Sequence, residues 1–321
     1  MSRFKPALVA LVLSLTGVCA EAATLQPRED VATTPAQEDA AIVNFRQVLA
    51  NANRQEDPQG WAGAHVHLGA WLGVKAERLP GDAGLDMIGE AIDHFGQALA
   101  VYDRRADNWV VVQKNLSNAR LAQARRLTGA GRVQALRKAA AIDRDIITVQ
   151  TFETATGDWA EDQLHLAKVL LLLAPEMAEA GRNAAYTEVV TGARGAAKIF
   201  SRDSTPEEWS TLQDALGTAL RGLGGTADPR GDLMQQSVEA YTQALKVRTR
   251  KAMPAEWAQT SVGLATTEAA LAEARRDPAL MRTALKRMDD ALPVLKGGEA
   301  ETAKAARAKM QVSLAGLAAK S

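Results

Sequence analysis

The sequence predicts an all-α solenoid, built from about twelve helices that stack as helix-turn-helix repeats. Three observations predict this fold. Tryptophan recurs about every fifty residues, and apolar residues recur at helical spacing within each interval. Proline, glycine and capping residues separate the helical stretches. The composition agrees, because Ala, Leu, Gln, Glu and Arg, which favour helices, make up much of the chain.

A tryptophan marks each repeat, and positions are counted below from that tryptophan as position 0. Position 7 is always leucine and position 8 is always small. The tryptophans, spaced by 48, 50, 50 and 48 residues, are Trp61, Trp109, Trp159, Trp209 and Trp257. The residues at position 8 are Gly69, Ser117, Ala167, Gly217 and Ala265. Agreement at two positions in all five intervals identifies an internal repeat.

A second signature follows in each repeat, and its spacings of 3, 4 and 7 place the marked residues on one helical face. Each repeat is therefore predicted to hold two amphipathic helices: helix A, which begins near the tryptophan, and helix B. The B signature stands at Ala91-x3-Phe95-x2-Ala98, Ser237-x3-Tyr241-x2-Ala244 and Ala284-x3-Met288-x2-Ala291, fades near Val189 and Ala139, and precedes the first repeat at Ala41-x3-Phe45-x2-Val48. The last helix repeats the A pattern, with Arg307 in place of tryptophan.

Helix starts and stops fit this division. Thr34-Pro35-Ala36-Gln37 and Thr205-Pro206-Glu207-Glu208 are predicted capping boxes with proline at the first helical position. The A-to-B connections contain the breakers, at Pro80-Gly81-Asp82, Gly129-Ala130-Gly131 and between Gly222 and Gly231. The predicted organisation is a signal peptide (1–22), a disordered lead-in (23–34), the repeats (35–296) and a C-terminal capping helix (297–321).

The first residues are typical of a secretory signal peptide. Arg3 and Lys5 precede a short apolar run, and Ala20-Glu21-Ala22 supplies small residues for cleavage before Ala23. An uncleaved anchor is the alternative. Cys19, the only cysteine, lies in this segment, and its upstream residues are a poor match for lipoprotein processing. Cleavage leaves a chain without cysteine, with 36 basic and 37 acidic residues, in the periplasm or outside the cell.

These residues resemble the tetratricopeptide repeat (TPR), in particular its long bacterial variant with the pattern P-x-x-W-A-x-x-Q-x-x-L-G-x-A-L. The fourth repeat is the best copy: Pro206-x2-Trp209-x3-Gln213-x2-Leu216-Gly217-x-Ala219-Leu220. The period near 49, an earlier tryptophan and a longer A-to-B loop depart from the usual repeat. The resemblance, over about residues 36 to 295, implies a right-handed α-solenoid of TPR-like repeats that binds a protein or peptide along helix A.

The resemblance also implies which residues line that groove, namely those at positions 2, 5, 9 and 12. Their polar side chains mix signs, which favours a partner of mixed polarity. The predicted groove residues are Glu161, Lys114, Asn118, Lys168, Asp214, Thr218, Arg221, Gln259 and Thr266, with Thr211 beside them.

Composition and motifs favour a binding protein over an enzyme. The formal net charge is zero, which gives no reason to expect nucleic acid or an anionic membrane as partner. We expect no cofactor and no metal, because His65 and His67, two residues apart, point away from each other on a helix. Two alternatives stay open: an enzyme on a closed (α/α) toroid, possibly carbohydrate-directed, and a self-associating structural protein with uncovered apolar ends.

Two repeated positions are expected to serve packing. The five phased tryptophans are predicted to anchor adjacent helices rather than to stack on a ligand. Position 4 carries glutamine in the middle three repeats, at Gln113, Gln163 and Gln213. Because buried amides need partners, we expect these side chains to form a ladder to helix ends or loops of the next repeat.

Overall fold

The computed structural model describes residues 34–225 and 231–319, and within them it contains twelve α-helices and no strand. The all-α class and the helix count are confirmed for these residues. The signal peptide, Cys19 and most of the lead-in lie outside them. The helices are α1 Pro35–Asn51, α2 Pro58–Arg78, α3 Gly81–Leu99, α4 Asp107–Arg126, α5 Gly129–Val149, α6 Thr156–Leu173, α7 Glu179–Ala196, α8 Pro206–Leu223, α9 Asp232–Ala244, α10 Pro254–Arg275, α11 Pro278–Ala291 and α12 Gly297–Ala318, with a short 3₁₀ turn at Ala174–Glu176.

The described residues divide into two compact units, with the boundary between Val149 and Gln150. In the first unit, α2 packs on α3 and α4 on α5, while α1 packs on α2 and α3 on α4. In the second, the pairs are α6 with α7, α8 with α9 and α10 with α11, and each B helix packs on the A helix that follows it. This order of packing is the one that stacked helical repeats predict. No helix among the described residues is long and apolar enough to cross a membrane.

One predicted capping box is confirmed and the other is wrong. At α1, the Gln37 backbone donates to Thr34 Oγ1 (3.3 Å) and the Thr34 backbone donates to Gln37 Oε1 (2.7 Å). At α8, Thr205 makes no side-chain cap. Its hydroxyl turns back to the preceding loop, where it accepts from the Ser201 amide (2.9 Å) and donates to the Ser201 carbonyl (3.2 Å). The hydroxyl therefore closes a turn, because loop geometry competes with the helix for it.

Four of the five A-to-B connections contain a residue with left-handed backbone geometry, and the third repeat connects its helices through the 3₁₀ turn instead. Gly81, Gly129 and Gly231, with φ of 58°, 56° and 73°, stand at the starts of α3, α5 and α9. Glycine adopts this geometry without the steric cost that a Cβ imposes. The fifth repeat places Arg276 (φ 52°) there instead, as the C-cap of α10.

The small residue at position 8 makes room for the bulky residue of helix B. A Cβ added to Gly69 would lie 2.8 Å from Phe95 Cε1 and 3.1 Å from the Ala91 carbonyl oxygen. A Cβ added to Gly217 would lie 2.9 Å from the Tyr241 ring, which is itself fully buried. The small residue in the signature of helix A and the bulky residue in the signature of helix B thus form one contact.

The second repeat makes the same contact with polar groups. Ser117 and Asp143, both buried, occupy the places of the small and bulky residues, and Ser117 Oγ donates to Asp143 Oδ1 (2.5 Å). A buried carboxylate requires such a partner. This substitution explains why the B signature is most degenerate in this repeat.

The phased tryptophans are packing residues, as predicted. Trp109 is buried, and Trp61, Trp159 and Trp209 are half-buried against the apolar clusters of their own units. An arginine from the preceding loop stacks over some of these rings, such as Arg54 over Trp61 (4.9 Å). Similar stacking covers Trp109 and the half-buried Trp257. The indoles thus fill the junction between a loop and two helices, and the guanidinium adds a cation–π contact.

We expect Gly69→Ala to destabilise the first unit by about 1–3 kcal/mol, because the new methyl group meets both a ring and a backbone oxygen. Gly89→Ala is the matched control in the same unit. Nothing lies within 4 Å of its added Cβ, so we expect a gain of about 0.5–1 kcal/mol from helix propensity. Urea unfolding of the two variants measures both effects. Equal changes in stability would contradict the proposed contact.

Candidate interaction surface

The predicted groove residues lie on helix A of the second to fifth repeats, and Thr218 among them reaches the seam, which is the contact surface between helix A and helix B of one repeat. Position 1 and position 8 of these helices are buried in every repeat, whereas the predicted groove residues are exposed or half-buried. Glu161, Lys168 and Gln259 are the exposed ones. Lys114 and Asn118 lie on α4 in the first unit, and the other seven lie in the second unit. Helix A therefore has one face used for packing and a second face that carries polar groups.

Within the second unit, the structure joins α8 and α10 through a compact polar network. Arg248, which follows α9, has a side chain only 8% exposed, and its guanidinium lies 3.2 Å from Asp214 Oδ1. It also donates to Thr260 Oγ1 (2.9 Å) and Thr211 Oγ1 (3.1 Å). Thr260 in turn donates to Asp214 Oδ1 (2.7 Å). Asp214, predicted for the groove, is thus an internal anchor of the helix packing.

Other predicted groove residues also make internal bonds. Thr218 Oγ1 lies 2.9 Å from the hydroxyl of the buried Tyr241, and burial raises the pKa of this tyrosine. Thr266 donates to the Val262 carbonyl (2.7 Å) one turn earlier. Gln259 donates to Glu299 on α12 (2.8 Å) and is exposed, while Arg221 Nε is buried without a partner. The polar face therefore has a half-buried floor and an exposed rim.

A histidine pair lies between α2 and α3, a juxtaposition that sequence spacing did not suggest. The Nδ1 atoms of His65 and His94 are 2.7 Å apart, so one ring donates and the other accepts. The Trp61 ring meets His65 edge-on at 4.1 Å. Desolvation, with the nearby His94 and Arg54, lowers the pKa of His65 to about 4. Desolvation also lowers the pKa of His94, against the opposite effect of Glu90.

The histidine pair is a structural contact on this geometry. No group of three or more His, Cys, Asp or Glu side chains suited to a metal occurs among residues 34–225 and 231–319. His67 takes no part in the pair and stacks on Phe45, with 5.0 Å between the ring centroids. The signal that could have found the pair is its place in the repeat, because position 4 of helix A faces the residue just before the bulky residue of helix B.

The predicted glutamine ladder to the next repeat is wrong for Gln163 and Gln113. The Gln163 side chain lies against Gly192 of α7, which is helix B of its own repeat. Gln113 Oε1 is buried without a hydrogen-bond partner. It borders an open depression of about 480 Å³ that is otherwise lined by α5 residues, among them Ala141 and Asp145. In the first three repeats, position 4 therefore lies beside helix B of its own repeat.

No protein-family model matches this sequence, and no curated protein matches it either.

Stability of the first unit should fall as the pH drops from about 6.5 to about 4. In this window the unfolded His65 binds a proton and the folded one does not, so acid favours the unfolded state, by up to about 3 kcal/mol. His65→Gln, which installs the residue of the middle repeats, should flatten this dependence. Urea unfolding at pH 7 and pH 4.5 measures it. A variant that loses as much stability in acid as the parent would rule out the imidazole as the cause.

We expect Arg248→Ala to destabilise the second unit by about 2–4 kcal/mol, because it leaves the half-buried Asp214 carboxylate without its cation. Asp214→Ala should cost a similar amount, and the double variant should cost less than the two single effects combined. Chemical denaturation of the three variants gives the coupling energy. Strictly additive effects would show that the two side chains act independently.

Proposed function

We propose that the protein is an exported, TPR-type scaffold that holds a protein or peptide segment in the cell envelope. The N-terminal signal pattern supports export, and the match of the fourth repeat to the long bacterial TPR pattern supports the family. The supporting structural observation is the second face of helix A. It carries polar side chains at position 9 in the second to fifth repeats and at position 2 in the third to fifth, while positions 1 and 8 are buried.

The chemistry of this face favours a peptide partner of mixed polarity. In the second unit, the exposed rim carries an acid, a base and an amide, at Glu161, Lys168 and Gln259. The Arg248–Asp214 network holds the half-buried polar residues between α8 and α10 in one arrangement. This part of the surface is therefore preorganised before a partner binds. Rigid support of this kind lowers the entropic cost of binding. A bound segment would hydrogen-bond to the rim without any cofactor.

Site-specific photocrosslinking in an envelope extract tests this proposal. We expect a photoreactive residue at Glu161 or at Gln259 to give an adduct with the same partner. The same residue at Arg282, which is exposed on helix B of the fifth repeat, is the control and should give none. Adducts formed equally from Arg282 would contradict binding along helix A.

The partner found in this way then allows a quantitative measurement. Lys168→Glu should weaken its binding by about tenfold, the effect of about 1.4 kcal/mol from one reversed charge. Lys286→Glu, at an exposed lysine on α11, is the matched control and should leave the Kd unchanged. Isothermal titration measures both values. Equal affinity of the two variants would place the binding surface elsewhere.

A further inference from the structure

Every helix A in the five repeats uses the same face to receive its helix B. Position 1 and position 8 are buried in all five repeats. The residues at position 1 are Ala62, Val110, Ala160, Ser210 and Ala258, all at most 5% exposed. Position 4 points into the same seam, where His65 meets His94 and Gln163 meets Gly192. A surface that binds helix B therefore has a polar residue at position 4 and buried residues at positions 1 and 8, which are small except for Val110.

Helix α12 carries this mark with no helix over it in the described part of the chain. Counted from Arg307, position 1 is Ala308, position 4 is Gln311 and position 8 is Ala315. All three are exposed, and the neighbouring Val312 is 74% exposed. The glutamine at position 4 is the residue that the three middle repeats use. This face of α12 thus has the residue types of a surface that binds helix B, but its residues are exposed to solvent.

Helix α1 shows the complementary gap. It carries the B signature, but Val48 is 42% exposed, whereas its counterparts in the five repeats are at most 1% exposed. Those counterparts are Ala98, Ile146, Ala196, Ala244 and Ala291. Ala41 is half-buried, whereas its counterparts, such as Ala91 and Ser237, are fully buried. In these repeats, helix A of the same repeat covers this side of helix B.

We propose that α12 of one copy packs on α1 of a second copy, so that the two form a sixth A/B pair. With Arg307 as position 0, where the sequence pattern places it, the pairings inside the repeats give the register. In the first repeat, position 4 lies opposite His94, whose counterpart in α1 is Asn44, so Gln311 would face Asn44. Position 8 lies opposite Ala91, whose counterpart in α1 is Ala41, so Ala315 would face Ala41. Position 0 meets the place of Gly195, which contacts Trp159 in the third repeat, and this brings Arg307 to Gln47. None of these three contacts opposes like charges, and the middle one brings together two small residues that allow close helix approach.

The third repeat supplies the distance for a direct test of this register. A Cβ placed on Gly192 lies 3.8 Å from Gln163 Cβ, which is within the range that a disulfide spans. The corresponding pair between copies is Asn44 with Gln311. With Cys19→Ser in the background, the chain contains no other cysteine, so single thiols report on single contacts.

The experiment mixes two proteins, one with Asn44→Cys and one with Gln311→Cys, under mild oxidation. We expect mixed disulfide dimers to exceed either homodimer by at least about tenfold, because only that pair has disulfide geometry. The control mixes Asn44→Cys with Lys309→Cys. Lys309 is equally exposed on α12, but two residues from Gln311 it points about 200° away. It should give no excess of mixed dimers. Dominant Gln311→Cys homodimers, or mixed dimers no more abundant than in the control, would overturn the proposal.

Sedimentation velocity of the cysteine-free chain provides an independent readout. We expect the average mass to rise with concentration and Ala315→Arg to abolish the rise. Thr302→Arg, at an exposed site on the other side of α12, should leave it unchanged. A mass that stays at one chain, or a rise that Ala315→Arg does not affect, would also overturn head-to-tail association. This inference does not rest on the proposed partner binding, since it concerns only the outer faces of α1 and α12.

Discussion

Helix A and helix B of a repeat approach closely because helix A is small at the place where helix B is bulky. Gly69 receives Phe95, and Gly217 receives Tyr241, which also meets Gly263 of the following helix A. One aromatic ring thereby fills the space among three helices. Since close packing leaves no room for a further methyl group, this contact fixes the spacing of the first and fourth hairpins, and in the fourth repeat also the spacing to the following helix A. This constraint explains why the residue after the repeated leucine is always small.

The same seam also accepts pairs of polar side chains. In the second repeat, the hydrogen bond between Ser117 and Asp143 replaces the glycine–aromatic contact. In the first repeat, the imidazole of His65 at position 4 contacts the imidazole of His94 on helix B. In these two pairs, each buried polar group meets a partner of suitable donor or acceptor character. Repeats can therefore diverge in residue type while the helices keep their places.

The constraint also divides helix A into two faces with different roles. The seam face is occupied by packing, and the other face carries polar groups, some of which are tied into the Arg248–Asp214 network. That network fixes α8 relative to α10. Asp214, which the sequence predicted to contact a partner, therefore stabilises the packing of the two helices instead. Helices α1 and α12 show the reverse situation, because their seam faces are intact and lack a covering helix among the described residues.

The sequence by itself determined the class of fold, the twelve helices, their pairing and the packing role of the tryptophans. Each of these follows from two periodicities in the sequence, the helical spacing of apolar residues and the recurrence of tryptophan about every fifty residues. Only the tertiary structure decided the histidine pair, the internal bonding of Asp214 and Thr218, the direction of position 4 and the use of Thr205 in a turn. These depend on contacts between helices or on one choice of hydrogen-bond partner, and the energy differences among such choices are about 1 kcal/mol. Periodicity identifies which face of a helix is buried, whereas the neighbours that reach that face are set by packing in three dimensions.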